Sequence, residues 1–310
     1  MGFRGECVKK KKPFGCLFGL IALIFLLLFL YWQNFSLQIT QYDLVYSKLP
    51  EGFDGYRIVQ ISDMHGMSYG AKNRVLIEKI DKLKPDALMI TGDMISSHAR
   101  DGQAFLDFLD GMKGKYPMYM SLGNHEQIAE WYEKSSPENY GYDDFISQVL
   151  EKGVIILDNT SVELKRGDDA IRLYGLTSEL YHYSRRDGDY ADDSLLLTEA
   201  YIEGVLKKPS HQFTILLAHN PSYFKEYTAW GADLTLSGHM HGGIIQVPFK
   251  GGLLSPERIF FPEYDAGLFE EGSRKMIVNR GLGYSQISFR LFNRPDISLI
   301  VLHKQQARDS

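Results

Sequence analysis

From about residue 56 onward, apolar and polar positions alternate in two different patterns. Short runs rich in Ile, Val, Leu and aromatic residues recur, which is the pattern of buried β-strands. We predict strands at residues 56–62, 86–92, 116–123, 154–159, 171–176, 213–219, 232–238, 275–281 and 297–303. Apolar residues at helical spacing predict helices at residues 73–84, 103–112, 142–152 and 194–208. This alternation, with strands in excess, predicts an α/β protein in which layered sheets are flanked by helices.

The longest apolar run lies near the N-terminus, where residues 14–32 contain no charged side chain. A helix of that length, at about 1.5 Å per residue, approaches the roughly 30 Å hydrocarbon core of a bilayer. Four consecutive lysines at residues 9–12 precede the run, so the positive-inside rule places the N-terminus in the cytoplasm and the body outside. We predict a single-pass cell-membrane protein, with a basic cytoplasmic segment at residues 1–13 and a tether at residues 33–50.

A cleaved secretory signal is the alternative to a membrane anchor. The exit of the apolar run, YWQNFSLQIT, contains no small-residue cleavage site, which favours the anchor. A lipoprotein is excluded, because its acceptor cysteine would follow the apolar run and Cys16 lies near its start. The sequence leaves open whether the segment is ever removed.

Composition and charge narrow the classes of function. The chain is 44% hydrophobic and 24% charged, as globular proteins are. The first fourteen residues hold five basic and one acidic side chain, which leaves 29 basic against 38 acidic side chains, a net charge of −9, in the rest. An acidic body argues against nucleic acid as a partner. Both cysteines, Cys7 and Cys16, lie in the N-terminal segment, so the body has no thiolate ligand or cysteine nucleophile.

Polar residues suited to metals follow directly on five of the predicted strands. Carboxyl ends of strands are where open α/β sheets place their chemistry. The motifs are Asp63-Met64-His65, Gly92-Asp93, Gly123-Asn124-His125-Glu126, His219-Asn220 and Gly238-His239-Met240-His241. Carboxylate, amide oxygen and imidazole together suit manganese, iron or zinc rather than calcium. Each motif alone is weak evidence, but five in order at strand ends form a strong joint signal.

This ordered set of motifs resembles the calcineurin-like metallophosphoesterase family, over about residues 56–304. The resemblance implies a four-layer αββα sandwich at residues 51–310, with a two-metal site above the edges of two central sheets. It also implies that His125 is a catalytic histidine next to the metals. The implied ligands are Asp63, His65 and His241 for one ion, Asn124, His219 and His239 for the other, and Asp93 as the bridge between the two ions.

Three further phrases are similar to a bacterial branch of membrane-associated or secreted enzymes, some of which hydrolyse UDP-diacylglucosamine. They are GHMHGG at 238–243, VNRGLG at 278–283 and FNRPDI at 292–297. The resemblance implies that a hydroxide bridging two Mn, Fe or Zn ions attacks phosphodiester or pyrophosphate bonds of envelope or lipid-linked substrates. Many members carry a further Asp where this chain has Ser96. This position adjusts the properties of the metal site and does not supply a metal ligand, so the implied ligand set is unaffected.

Two other functions stay open at this point: a phosphomonoesterase of the same fold, and a metal-binding interaction module without turnover. An eroded ligand set would indicate the module, and none of the seven implied ligands, nor His125, is missing. Local motifs do not separate monoesterases from diesterases. The physiological substrate, the metal and the oligomeric state also stay open.

Overall fold

The chain is seen in a computed structural model that describes residues 14–97, 99–136, 141–183, 196–284 and 287–306. The predicted basic segment 1–13 and the first two residues of the helix predicted at 194–208 lie outside the described residues. The helices are α1 (Phe14–Phe35), α2 (Arg74–Leu83), α3 (Gln103–Met112), α4 (Asn124–Ser135), α5 (Tyr142–Glu151), α6 (Glu199–Leu206) and α7 (Phe224–Trp230). The first strands are β1 (Gln38–Tyr46), β2 (Tyr56–Ile61), β3 (Ala87–Ile90), β4 (Met118–Met120), β5 (Val154–Ile156), β6 (Thr160–Arg166) and β7 (Asp169–Leu176). The remaining strands are β8 (Thr214–Ala218), β9 (Leu234–Ser237), β10 (Gln246–Val247), β11 (Gly251–Gly252), β12 (Gly267–Glu271), β13 (Arg274–Val278) and β14 (Asp296–Lys304).

Two six-stranded sheets form the centre of the body. Sheet A has the order β1-β14-β2-β3-β4-β5, and sheet B has the order β12-β13-β9-β8-β7-β6. Strands β2, β3 and β4 run parallel in sheet A, as do β7, β8 and β9 in sheet B. The carboxyl ends of the motif-bearing strands in each sheet therefore meet at one edge of that sheet.

The two sheets pack face to face, and helices cover both outer faces. Ile58 of sheet A and Leu217 of sheet B belong to a buried cluster between the sheets. Phe105 of α3 packs in the cluster under the outer face of sheet A, and Trp230 of α7 packs in the cluster under sheet B. Burial of each such side chain stabilises the fold by about 1.5–3 kcal/mol. The prediction of an α/β, four-layer αββα sandwich is confirmed.

The prediction of a tether at residues 33–50 is wrong, because α1 extends to Phe35 and half of the segment is a strand of sheet A. Strand β1 pairs in parallel with β14 from Gln38 opposite Asp296 to Tyr46 opposite Lys304. Its alternate residues Leu44 and Tyr46 lie in the core between the sheets. Burial on one face and a nine-residue ladder outweigh the polar composition of the strand, QITQYDLVY.

Helix α1 is long and apolar enough to cross a membrane, alone among the described helices, and most of its side chains are exposed. Its end contacts the body directly. The side chain of Asn34 accepts a hydrogen bond from the Arg290 backbone N–H at 2.7 Å and donates one to the Arg290 carbonyl at 3.1 Å. The guanidinium of Arg294 lies 4.4 Å from the centre of the Trp32 ring. The helix is thus joined to the body without a flexible linker.

Candidate metal centre

The five strand-end motifs meet at one place, above the edges of the two sheets. Asp63 and His65 follow β2, Asp93 follows β3, Asn124 and His125 begin α4 after β4, His219 follows β8, and His239 and His241 follow β9. Strands from distant parts of the chain therefore aim these side chains into one crevice. The structure brings together seven of the eight side chains that the sequence singled out, and it places Asn124 next to His125 in the chain with its side-chain oxygen buried. Their roles as ligands or catalyst stay predictions.

One group of candidate ligand atoms comes from Asp63, His65 and His241. The Nε2 atom of His241 lies 3.3 Å from Asp63 Oδ1 and 3.1 Å from His65 Nε2. One atom of each residue lies within 4.8 Å of the others, close enough for a single cation to contact all three.

A second group comes from Asp93, His219 and His239, again with ligand atoms within 4.8 Å of one another. The Oδ2 atom of Asp93 is 3.0 Å from His219 Nε2 and 3.8 Å from His65 Nε2. The Asp93 carboxylate therefore lies between the two groups, where a bridging ligand is expected. It also lies 4.0 Å from His125 Nε2, and His125 forms a third group with His65 and Asp93.

Backbone strain is concentrated at these positions. Five of the seven predicted ligands adopt a positive φ, between 45° and 69°, which side chains other than glycine rarely do. They are Asp63, His65, Asp93, His239 and His241. Gly238 permits the closest approach, because a Cβ there would lie 1.9 Å from Ser62 Oγ and 2.4 Å from Asp63 Oδ2. Such strain is typical of functional sites, where an unfavourable backbone conformation is kept because it directs the side chain correctly.

The residues present fit divalent metal ions. The side-chain oxygen of Asn124 is buried and has no hydrogen-bond donor among the described residues, a loss that costs about 1–3 kcal/mol unless another partner satisfies it. A cation is such a partner. The surrounding carboxylates and imidazoles are the donors that manganese, iron and zinc accept.

Burial and charge set the protonation of the imidazoles. Burial lowers the pKa of His65 to about 4 and that of His241 well below its ordinary value. Burial would also lower the pKa of His219, but the carboxylates of Asp93 and Asp63 outweigh it and raise that pKa to about 10. His65 and His241 are therefore neutral near pH 7, the form of histidine that binds metals.

Glu126 supports the centre, a role that the sequence did not reveal. Its buried carboxylate accepts hydrogen bonds from the backbone N–H groups of Asp93 at 2.8 Å, Met94 at 2.7 Å and Gly123 at 2.9 Å. It thus ties the loop after β3 to the start of α4. Burial is the main reason why the pKa of Glu126 is raised to about 7. The signal lay in the sequence, since Glu126 completes the motif Gly-Asn-His-Glu.

Two further residues support side chains of the centre and lie outside the five strand-end motifs. The carboxylate of Glu257 contacts the imidazole of His239. Burial would raise the pKa of Glu257, but that contact outweighs it and holds the pKa at about 2. The hydroxyl of Ser97 lies 2.6 Å from His125 Nδ1 and orients that ring. Ser96, the position where the family often carries Asp, lies 3.4 Å from His65 Nδ1.

The layered fold and a crevice of carboxylates and imidazoles at its strand ends define a metal-dependent phosphoester hydrolase. The sequence profile of the calcineurin-like phosphoesterase family matches residues 56–243. That match covers more than half of the chain, and the chain belongs to this family.

Three relatives show the range of the family around this chain. The uncharacterized metallophosphoesterase YkuE of Bacillus subtilis is 29% identical over 278 residues, which cover 88% of this chain and 87% of YkuE. A zebrafish (Danio rerio) transmembrane protein with metallophosphoesterase domain is 28% identical over 82% of this chain, which spans 55% of that relative. The UDP-2,3-diacylglucosamine pyrophosphatase LpxG of Chlamydia muridarum is 26% identical, over 82% of this chain and 86% of LpxG.

Proposed function

We propose that this metallophosphoesterase hydrolyses phosphodiester or pyrophosphate bonds with two divalent ions at the outer face of the cell membrane. The observation that carries the proposal is the position of Asp93 between two groups of ligand atoms, each group within 4.8 Å. Two adjacent ions that share a carboxylate are the arrangement that phosphoester hydrolysis uses.

Seven side chains hold the ions in this proposal. Asp63, His65 and His241 bind one ion, Asn124, His219 and His239 bind the other, and Asp93 binds both. Two such ions supply Lewis-acid chemistry, lowering the pKa of water from about 15.7 toward roughly 7 and offsetting charge on phosphoryl oxygens. The donors suit manganese, iron or zinc. Glu126 and the strained loops keep the donors in position without substrate.

His125 is the catalytic histidine of the proposal. Its side chain is 32% exposed, against 5% for His65 and none for His219, so it faces the side from which substrate enters. Ser97 contacts Nδ1 and thereby directs Nε2 toward the centre. From there Nε2 stabilises charge on phosphoryl oxygens or gives a proton to the leaving oxygen.

The substrate in this proposal is an envelope or lipid-linked phosphoester. Helix α1 and the lysines at residues 9–12 support a single-pass anchor, with the N-terminus in the cytoplasm and the catalytic domain outside. Two relatives support a membrane anchor and a lipid-linked substrate, since one is named a transmembrane protein and another a pyrophosphatase of a diacylated substrate. The acidic body disfavours nucleic acid.

A panel of three chromogenic or nucleotide substrates tests the activity. Full-length protein loaded with Mn²⁺ should hydrolyse bis(4-nitrophenyl) phosphate and UDP-N-acetylglucosamine faster than 4-nitrophenyl phosphate, and Asp93→Asn should hydrolyse none of them. Turnover of the monoester alone would make the protein a phosphomonoesterase. No turnover of any substrate by the metal-loaded protein would favour an interaction module.

A further inference from the structure

An apolar groove opens beside the metal centre, between the loop that follows β9 and the segment that leads into β14. Its volume is about 430 Å³, within the range of small-molecule binding sites. The groove is lined by Ile244, Leu254, Pro256, Arg258, Phe260 and Ile287. The hydrolytic chemistry of the centre does not require an apolar surface here. We therefore ask which apolar group the groove binds.

The groove lies next to the metal centre and shares lining residues with a narrow crevice beside it. Ile244 and Ile287, two of its lining residues, also border a crevice that reaches His241, a predicted ligand. The wall that carries Pro256 and Arg258 also carries Glu257, whose carboxylate contacts His239. A molecule whose phosphoester lies at the centre therefore has the groove immediately next to it.

The groove also adjoins the end of α1. Tyr284, in the crevice that joins the groove, donates a hydrogen bond from its hydroxyl to the Asn34 carbonyl at 3.1 Å. The Phe292 ring lies 6.0 Å from the ring of Phe29 on α1. The segment of the body that walls the groove is thus the segment that holds the end of the apolar helix.

Exposed aromatic side chains lie on the chain segments that form and adjoin the groove. Phe249, Phe260, Phe261 and Phe292 are all exposed, and Phe249 is completely so. Backbone pairing places the segments that carry them side by side, since Ile245 and Gln246 pair with Leu291, the neighbour of Phe292, and Leu254 pairs with Phe260. Exposed apolar side chains gathered on one surface mark a contact with lipid or a partner. Because this surface adjoins α1, the contact that fits it is the bilayer.

We propose that the groove binds the acyl chain of a phosphoester lipid while the phosphoester of its headgroup lies at the metal centre. The inference rests on the proposed function and deepens it by naming the part of the substrate that is recognised. A lipid that stays partly in the bilayer reaches the groove along α1, and Arg258 in the groove wall complements the anionic headgroup.

The test compares two phosphodiesters that differ only in chain length, the ethyl and the tetradecyl esters of 4-nitrophenyl phosphate. Full-length, metal-loaded protein in mixed detergent micelles should show a kcat/KM for the tetradecyl ester about tenfold or more above that for the ethyl ester, because each buried methylene adds to binding. Ile287→Ser and Phe260→Ser should bring that ratio close to one.

Ile155→Ser is the matched control. Ile155 lies on β5, at the edge of sheet A opposite β1, and is 45% exposed against 48% for Ile287. This variant should keep the ratio of the unchanged protein. A ratio that is the same in Ile287→Ser, Phe260→Ser and the unchanged protein would overturn the inference, as would a ratio of one in the unchanged protein.

A second measurement reads the groove without turnover. A phosphodiester that carries a photoreactive diazirine on its alkyl chain should label peptides containing residues 254–260 and 287–292, as identified by mass spectrometry. Label confined to α1 would overturn the inference. Labelling of the groove by a protein that hydrolyses neither ester would instead overturn the proposed function and leave the groove as a lipid site.

Discussion

At the scale of single residues, the centre depends on buried groups that the chain itself must satisfy. The carboxylate of Glu126 is 0% exposed and accepts hydrogen bonds from backbone N–H groups of two loops. One of these loops carries Asp93. Each such bond to an ionised acceptor is worth about 1.5–3 kcal/mol. A residue outside the predicted ligand set therefore fixes the position of the predicted bridging ligand.

The variant Glu126→Gln should destabilise the protein by about 2–4 kcal/mol at pH 8, because an amide nitrogen would face backbone donors in place of one oxygen. Glu130→Gln, on the same helix and paired with Lys134 at the surface, should change the free energy of unfolding by at most about 0.5 kcal/mol. Urea unfolding measures both. Equal effects of the two substitutions would contradict the role given to Glu126.

His125 tests the division between binding and catalysis. His125→Ala should leave the metal content nearly intact and lower kcat by roughly 10² to 10⁴, the usual contribution of a positioned acid or charge-stabilising group. Ser97→Ala, which removes only the hydroxyl that orients the ring, should have a smaller effect. If His125→Ala instead loses metal, His125 is a ligand, consistent with its proximity to His65 and Asp93.

The sequence predicted the set of side chains in the crevice but not the residues that support it. Ligand types at strand ends are a local signal, so Asp93 and His219 were identified without knowing the fold. Glu257 was not, because its contact with His239 spans a loop whose two short strands have no sequence pattern. Ser97 was also missed, because only the folded structure brings its hydroxyl next to His125.

At the scale of elements, apolar strands were predictable and polar edge strands were not. Strand β3 is buried throughout, so its apolar run stands out in the sequence. Strands β6 and β12 are the outer strands of sheet B and expose most of their residues, so their sequences, TSVELKR and GLFEE, read as polar. Helix α4 was missed because its sequence, NHEQIAEWYEKS, starts inside a metal motif and is mostly polar.

Strand β1 gives an element-scale prediction, since a soluble form of the body must retain it. A chain that begins at Gln33 keeps β1 and the contacts of Asn34, whereas a chain that begins at Asp43 loses the pairs from Gln38 to Tyr42. The shorter chain should be less stable by about 3 kcal/mol or more and should aggregate through the exposed edge of β14. Urea unfolding and size-exclusion chromatography compare the two. Equal stability and equal monomer yield would show that this half of β1 is dispensable.

At the scale of the whole molecule, a rigid junction joins a membrane-compatible helix to a hydrolase body. Asn34 and Trp32 contact Arg290 and Arg294, which precede β14, so the centre keeps a defined position relative to the end of α1. A flexible tether would have let the body sample any orientation. In the membrane-anchored protein that we propose, the fixed junction would favour substrates that lie at the membrane surface.

The proposed orientation of the chain in the membrane rests on the lysines at residues 9–12. The protein should fractionate with membranes, and protease added to intact spheroplasts should digest the body. A cytoplasmic marker enzyme that stays intact in the same sample controls for lysis. Digestion of the body only after lysis would reverse the orientation and remove the support for an envelope substrate.

Metal stoichiometry tests the central claim most directly. Elemental analysis of purified full-length protein should find about two transition-metal ions per chain, and chelation should abolish phosphoester hydrolysis until metal is restored. Asp93→Asn should bind less than one ion, because its carboxylate lies between both groups of ligand atoms. Protein that holds no transition metal after metal loading, or whose hydrolysis is insensitive to chelator, would contradict the account.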